Sequence, residues 1–176
     1  MPDVNGISVD QSHPPQSGAF PLDASFVHDG SLSSFRAHAV VECYSAQEME
    51  RFIVSRDSLP AHLRGFLVPY TRDEYMARGS KLFLTVDGRG GVALLNGELG
   101  SLFSMPGAHY GNLLVEFAVT HGACKLSCYD TRGKLPSLYG RHGFKETLRA
   151  PWNDEYAPKT WNYAVWGRPD YVEMSR

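Results

Sequence analysis

The chain has 176 residues, 43% hydrophobic and 12% aromatic, which is enough to bury a sizeable core and excludes wholesale disorder. A formal charge of −2 and an isoelectric point near 6.4 exclude a generally basic nucleic-acid or membrane-surface binder. No apolar run reaches the ~18 residues that span a bilayer, Met1 leads into Pro2 and Asp3 and not into a signal peptide, and three cysteines read as reduced thiols, so a cytoplasmic protein is expected.

Residues 1–35 differ from everything after them. Asp3, Asp10, Asp23 and Asp29 stand with no Lys or Arg before Arg36, and Pro2, Pro14, Pro15 and Pro21 lie among Ser and Gly. This composition predicts an extended Pro/Ser/Asp-rich arm, either a solvated tail or a segment that docks on a partner. Residues 36–176 are expected to form a single domain. Ala37–Tyr44 reads as a strand, and Ser45 with Glu48 spells a capping box that opens a helix to about Ser55. Helical stretches are expected over Leu59–Leu67 and Arg72–Arg78. Lys81–Val86 alternates as a strand, the Asp87–Gly91 turn returns it as Val92–Leu95, and Asn96-Gly97 leads to a third meander strand at Leu99–Met105.

At Gly111 the period changes. Leu114, Phe117, Ala118 and His121 share one helical face, while Leu113, Val115 and Val119 make the others apolar, which describes a buried central helix ended by Gly122. A strand at Lys125–Tyr129, a short helix at Leu135–Arg141 closed by Gly143, a strand at Lys145–Arg149 and a last strand at Trp161–Trp166 complete the order. The fold class is α+β: a mixed, largely antiparallel sheet flanked by helices.

Two motifs in this order resemble the GNAT N-acyltransferase superfamily: Leu102-Phe103-Ser104-Met105-Pro106 followed by Gly111-Asn112-Leu113-Leu114, and Leu138-Tyr139-Gly140-Arg141-His142-Gly143-Phe144. The resemblance covers roughly Ala37 to Trp166. It implies transfer of an acetyl or other acyl group from coenzyme A to an amine on a small molecule or protein. Acetyl-CoA or another acyl-CoA would be the cofactor. Its pyrophosphate would lie on the loop and helix start formed by Met105, Gly107, Ala108, His109, Tyr110, Gly111 and Asn112. A helix N-terminus suits an anion because its first N–H groups are unpaired and carry positive partial charge. The loop departs from the family's R/Q-x-x-G-x-G/A: the leading Arg or Gln is missing, the segment is shorter, and His109 occupies the place of a Gly. A protonated His109 would stand in for the missing cation; alternatively the bulky His109-Tyr110 pair would crowd the phosphates and block the loop. Tyr139 falls where the family places the acid that protonates the departing thiolate. For the base, Glu98, Asp130, Glu42 and His109 remain open.

The tail around Trp152-Asn153, Tyr156-Ala157-Pro158, Trp161-Asn162-Tyr163 and Pro169–Met174 resembles GNAT-like proteins of phages and prophages. That resemblance implies an alternative of another class: a catalytically silent GNAT-fold phage protein, a virion component or host-factor-binding module engaging its partner through the arm or the aromatic tail. Location would then be the host cytoplasm or the virion. No metal site is expected, since Cys124 and Cys128 on one strand lie ~13 Å apart. Gly88-x-Gly90-x-x-Ala93 sits in a hairpin with no helix after it, so it is no dinucleotide loop. Residues 125–176 carry nine basic and six acidic side chains, with Arg132, Lys134, Arg141 and Lys145 close together as a surface for the coenzyme's phosphates or another polyanion, or simply a solvated face.

Overall fold

The computed structural model describes residues 40–176; the expected arm at 1–35 and the start of the expected first strand lie outside them. In chain order the elements are β1 (Val40–Glu42), α1 (Ala46–Asp57), α2 (Ala61–Arg64), α3 (Arg72–Ala77), β2 (Lys81–Thr85), β3 (Gly90–Leu95) and β4 (Glu98–Ser104). They continue as α4 (Gly111–Thr120), β5 (Lys125–Tyr129), α5 (Lys134–Gly140), β6 (Lys145–Ala150), a 3₁₀ turn (Asp154–Tyr156), α6 (Tyr163–Trp166) and β7 (Tyr171–Ser175). One seven-stranded sheet takes the order β1-β2-β3-β4-β5-β7-β6. Every neighbouring pair is antiparallel except β4 with β5. The α+β class and the largely antiparallel sheet are therefore as expected.

Local chemistry explains most boundaries. α1 starts at the Ser45–Glu48 capping box, in which Glu48 N–H donates to Ser45 Oγ and Ser45 N–H donates to Glu48 Oε2. α3 has the same device in Thr71 and Glu74. The inner face of α1 sets Met49, Phe52 and Arg56 against the sheet. Phe52 is fully buried, with its ring edge-on to Phe103 at 5.3 Å and Tyr75 at 5.8 Å. Burial of such a ring contributes about 1.5–3 kcal/mol. On the opposite face α4 buries Leu114, Val115 and Ala118 completely.

Two expectations are corrected. Trp161–Trp166 is not the last strand: Asn162 Oδ1 accepts from Val165 N–H and caps the single turn α6. Trp161 and Trp166 both turn inward onto Phe66, at 4.9 and 5.0 Å between ring centroids, which a strand would not allow at that spacing. The last strand is β7, where Val172 and Met174 are buried and Glu173 is exposed. Leu59–Leu67 contributes only the short α2, its remainder being turns. Among the described residues no helix is long and apolar enough to cross a membrane.

Candidate active site

β4 and β5 run parallel but pair only at their first residues, Glu98↔Lys125 and Leu99↔Leu126. Gly97 O accepts from both Cys124 N–H and Lys125 N–H and fixes this closed end. Beyond it the strands part. β5 pairs along its whole length with β7, while β4 stays with β3 across a register shift between Val92 and Leu94, an irregularity of the kind that increases local twist. The result is a wedge opening toward Ser104 and Tyr129, with α4 entered from the end of one strand and α5 from the end of the other.

The loop from β4 to α4 is held by its own side chains. Met105 N–H donates to Arg89 O (2.7 Å), Arg89 Nη2 to Pro106 O (3.1 Å), and Tyr110 N–H to Ser104 Oγ (3.1 Å). Gly107 (φ 74°) and His109 (φ 55°) both take left-handed backbone, so His109 does occupy a glycine-like conformation. Tyr110 turns sideways: its hydroxyl donates to Asp87 Oδ2 at 2.6 Å, and its ring lies where a Cβ on Gly90 would come within 2.9 Å. Desolvation opposes ionisation of Asp87, but hydrogen bonds from Tyr110, Thr85 and Arg89 hold its carboxyl below the usual range.

α4 has no side-chain N-cap bond, and its first intrahelical bond runs from Leu114 N–H to Tyr110 O. The N–H groups of Gly111, Asn112 and Leu113 therefore precede the helical ladder; among the described residues none of them meets a backbone acceptor, which suits an anion at the mouth of the wedge. Asn112 Oδ1 lies 3.2 Å from His142 Nε2, so the start of α4 touches the turn after α5. Burial, with Arg141 and Arg176 nearby, lowers the His142 pKa against the opposing Glu116.

Tyr139 projects from α5 and is 1% exposed, edge-on to Phe144. Burial beside Cys128 raises its pKa well above the ordinary phenol value, so it retains its proton. Glu98 stands at the closed end of the wedge, 3.8 Å from Lys125 Nζ. Burial raises its pKa, Lys125 opposes and Glu173 adds to the rise. A small cavity of about 30 Å³ is lined by Glu98, Tyr70, Tyr75 and Arg78 among others. Asp130 is occupied otherwise: Oδ1 accepts from Gly133 N–H (2.5 Å) and Oδ2 from Arg149 Nη1 (2.8 Å), so it clamps the end of β5 to α5 and β6. Glu42 accepts from Tyr44 on edge strand β1, away from the wedge. Met105 and Ala108 are half-buried, whereas Gly107 and His109 are exposed.

The aromatic tail packs over the end of β5. Tyr129, at the open end of β5, is buried under Trp161 (4.9 Å), Trp152 (5.2 Å) and Phe66 (6.3 Å). Trp166 Nε1 donates to His62 O and Trp161 Nε1 to Gly167 O. The sequence reading missed a buried chain that crosses to β4. Arg56 Nη1 donates to Tyr70 O (2.7 Å) and Tyr75 Oη (3.1 Å), and Tyr75 Oη shares a hydrogen with Ser101 Oγ (2.8 Å). Its signal was an arginine on the apolar stripe of α1. The thiols of Cys43 and Cys128 are pushed up to about 11 and about 12 by burial, which suits inert core residues. Among the described residues no group of three potential metal ligands occurs.

No family model matches the chain and no curated protein matches it in sequence. Its backbone does match solved structures. A candidate phosphinothricin N-acetyltransferase superposes with a TM-score of 0.50 at 16% identity, covering 78% of this chain and 97% of that one. The fold is that of the GNAT acyltransferases. Spermidine N-acetyltransferase from Vibrio cholerae, solved with CoA and spermine, aligns at TM-score 0.49 and 15% identity over 78% of this chain and 94% of that one. Ribosomal-protein-alanine N-acetyltransferase from Brucella melitensis gives 0.48 and 11% over 78% and 98%. At such identities the likeness is one of fold alone, and the first of these carries it.

Proposed function

We propose that the protein is an N-acyltransferase that moves an acetyl or other acyl group from coenzyme A to an amine. The observation that carries this reading is the wedge: β4 and β5 part after two residue pairs, and the N–H groups that precede the α4 ladder lie at its mouth. A thioester placed between the parted strands would have its pyrophosphate on Gly111, Asn112 and Leu113. Met105, Gly107 and Ala108 would pass beside it, and exposed His109 would add a cation when protonated. The fit of these residues to the cofactor is supported by Tyr110, whose hydroxyl is tied back to Asp87 and not toward the helix start.

Coenzyme A would supply the activated acyl group. The chain's own part is then proton handling. Glu98, whose pKa is raised by burial, would take the proton from the incoming ammonium or amine through the small cavity beside it. Tyr139, kept neutral, would donate its hydroxyl proton toward the departing thiolate. A phenol raised by burial is the weaker acid, so the step needs a thiolate whose basicity is raised by the same dry surroundings. Asp130 would serve as a clamp.

Thiol release from acetyl-CoA in the presence of a panel of small amines and amine-terminated peptides tests the reading. Turnover lost in Tyr139→Phe and retained in Asp130→Asn supports it; no thiol release with any acceptor and no binding of acyl-CoA overturns it. The silent, partner-binding phage protein would then be the reading left.

A further inference from the structure

We propose a second binding site, for a small monocarboxylate, in the pocket between the end of α1, α2 and the β6–β7 connection. This pocket has a volume of about 210 Å³ and is lined by Arg56, Asp57, Arg64, Leu67, Pro69 and Thr160. That is many times the volume needed for one water and leaves room for a small organic ligand.

Arg56 is the reason to expect a ligand. It is 2% exposed, yet it lines this pocket. Its Nε donates to Asp57 Oδ1 at 2.7 Å, and Nη1 is shared between Tyr70 O and Tyr75 Oη. Nη2 is the one guanidinium nitrogen with no acceptor among the described residues. A guanidinium keeps its charge even when buried, and Nη2 is the donor left for a ligand in the pocket that Arg56 lines.

Charge balance selects the ligand. Asp57 neutralises Arg56, while Arg64 on the same wall has no ion-pair partner among the described residues, so the wall carries one net positive charge. A single carboxylate balances it, and its planar pair of oxygens suits guanidinium donors. A phosphate dianion would overcompensate beside Asp57. Leu67 and Pro69 offer apolar surface to a short carbon skeleton. The site stands whether or not the wedge transfers acyl groups, but it is wired to it: the same Arg56 reaches Ser101 on β4 through Tyr75.

The probe is butyrate, titrated into the full chain while the Arg56 Nε–H and backbone amide resonances are followed by NMR. The expected result is saturable binding in the millimolar range that shifts Arg56 Nε–H and the Arg64 and Leu67 amides. Butyramide, the neutral analogue, should bind at least tenfold more weakly. Because Arg56 variants risk the fold, the test uses exposed Arg64: Arg64→Gln should weaken butyrate at least tenfold, and Arg51→Gln, a like charge change elsewhere on α1, should leave it unchanged. Equal binding of butyramide, an unaffected Arg64→Gln, stronger binding of inorganic phosphate than of butyrate, or no saturable shift up to about 0.1 M would each overturn the proposal.

Discussion

Replacing Tyr110 by Phe removes one hydroxyl and should move a whole loop. In the native chain that hydroxyl donates to Asp87 Oδ2 at 2.6 Å and holds the ring beside Gly90, clear of the α4 start. A hydrogen bond to an ionised acceptor contributes about 1.5–3 kcal/mol when buried. Asp87 is largely solvated, so screening reduces the expected loss to about 1 kcal/mol. For a chain of this size that is a fall in melting temperature of roughly 2–4 °C. The pH dependence is distinctive. Desolvation is outweighed by the hydrogen bonds to Asp87, so its folded pKa lies below its unfolded one. Its contribution is present above the unfolded value, near 3.9, and is lost as pH falls through the folded value. The gap in stability between wild type and Tyr110→Phe should thus be full at pH 7 and shrink below about pH 4. Urea unfolding at pH 7, 5, 4 and 3 measures it. Without the bond to Asp87 the ring should shift toward the first N–H groups of α4, and acetyl-CoA affinity should weaken several-fold. A gap that is constant across pH, or no gap at all, would refute the reasoning.

Tyr139→Phe should leave unfolding free energy within about 1 kcal/mol of wild type, since the ring and its burial remain, while lowering kcat by a factor on the order of 10²–10⁴ if the hydroxyl is the acid; steady-state kinetics beside a thermal melt separate the two. His109→Gly relieves a left-handed backbone that costs a side-chain-bearing residue about 1–2 kcal/mol, so the melting temperature should rise or hold, and acetyl-CoA should bind more weakly at pH 6.5 if the imidazolium serves the phosphates. Arg149→Gln leaves Asp130, Asp170 and Glu146 facing one another without the cation that bonds to all three. Its melting temperature should fall at pH 7, and the deficit should shrink at acid pH as Glu146, whose pKa the hydrogen bond from Arg149 lowers, takes up a proton.

Much of this architecture is written locally, and those parts were readable. Ser45 and Glu48 announce α1, Asn96-Gly97 announces the β3–β4 hairpin, and the apolar girdle from Leu113 to Val119 announces α4. The Thr71–Glu74 box has the same spelling as the first but begins a helix of only six residues, too short for a hydrophobic period to reinforce it. Trp161–Trp166 misled because alternating aromatic and β-branched residues satisfy a strand pattern, while the decisive contacts, on Phe66 and His62, come from far away in the chain. β7 hid behind it, although Val172 and Met174 carry the period of two.

The site divides along the same line. The motifs name Tyr139 and the α4 start as candidates, and both lie on elements that local signals define. The fate of Asp130 depended on Arg149 and Asp170, which only the β6–β7 pairing brings to it. Tyr110 read as an obstacle to the phosphates because nothing in the sequence shows that Asp87, in another hairpin, draws it aside. Arg56 lies on the buried stripe of α1, and what its charge meets is decided by Tyr70 and Tyr75, 14 and 19 residues further along the chain.

The central claim is that the wedge between β4 and β5 holds an acyl-CoA with its phosphates on the first turn of α4. Isothermal titration of acetyl-CoA into the full chain, paired with 3′-dephospho-CoA and with acetate alone, tests it most directly. One site per chain is expected that retains 3′-dephospho-CoA, ignores acetate, and broadens or shifts the amide resonances of Gly111, Asn112 and Leu113. No heat with either nucleotide, or binding that leaves those three amides unmoved, would contradict it.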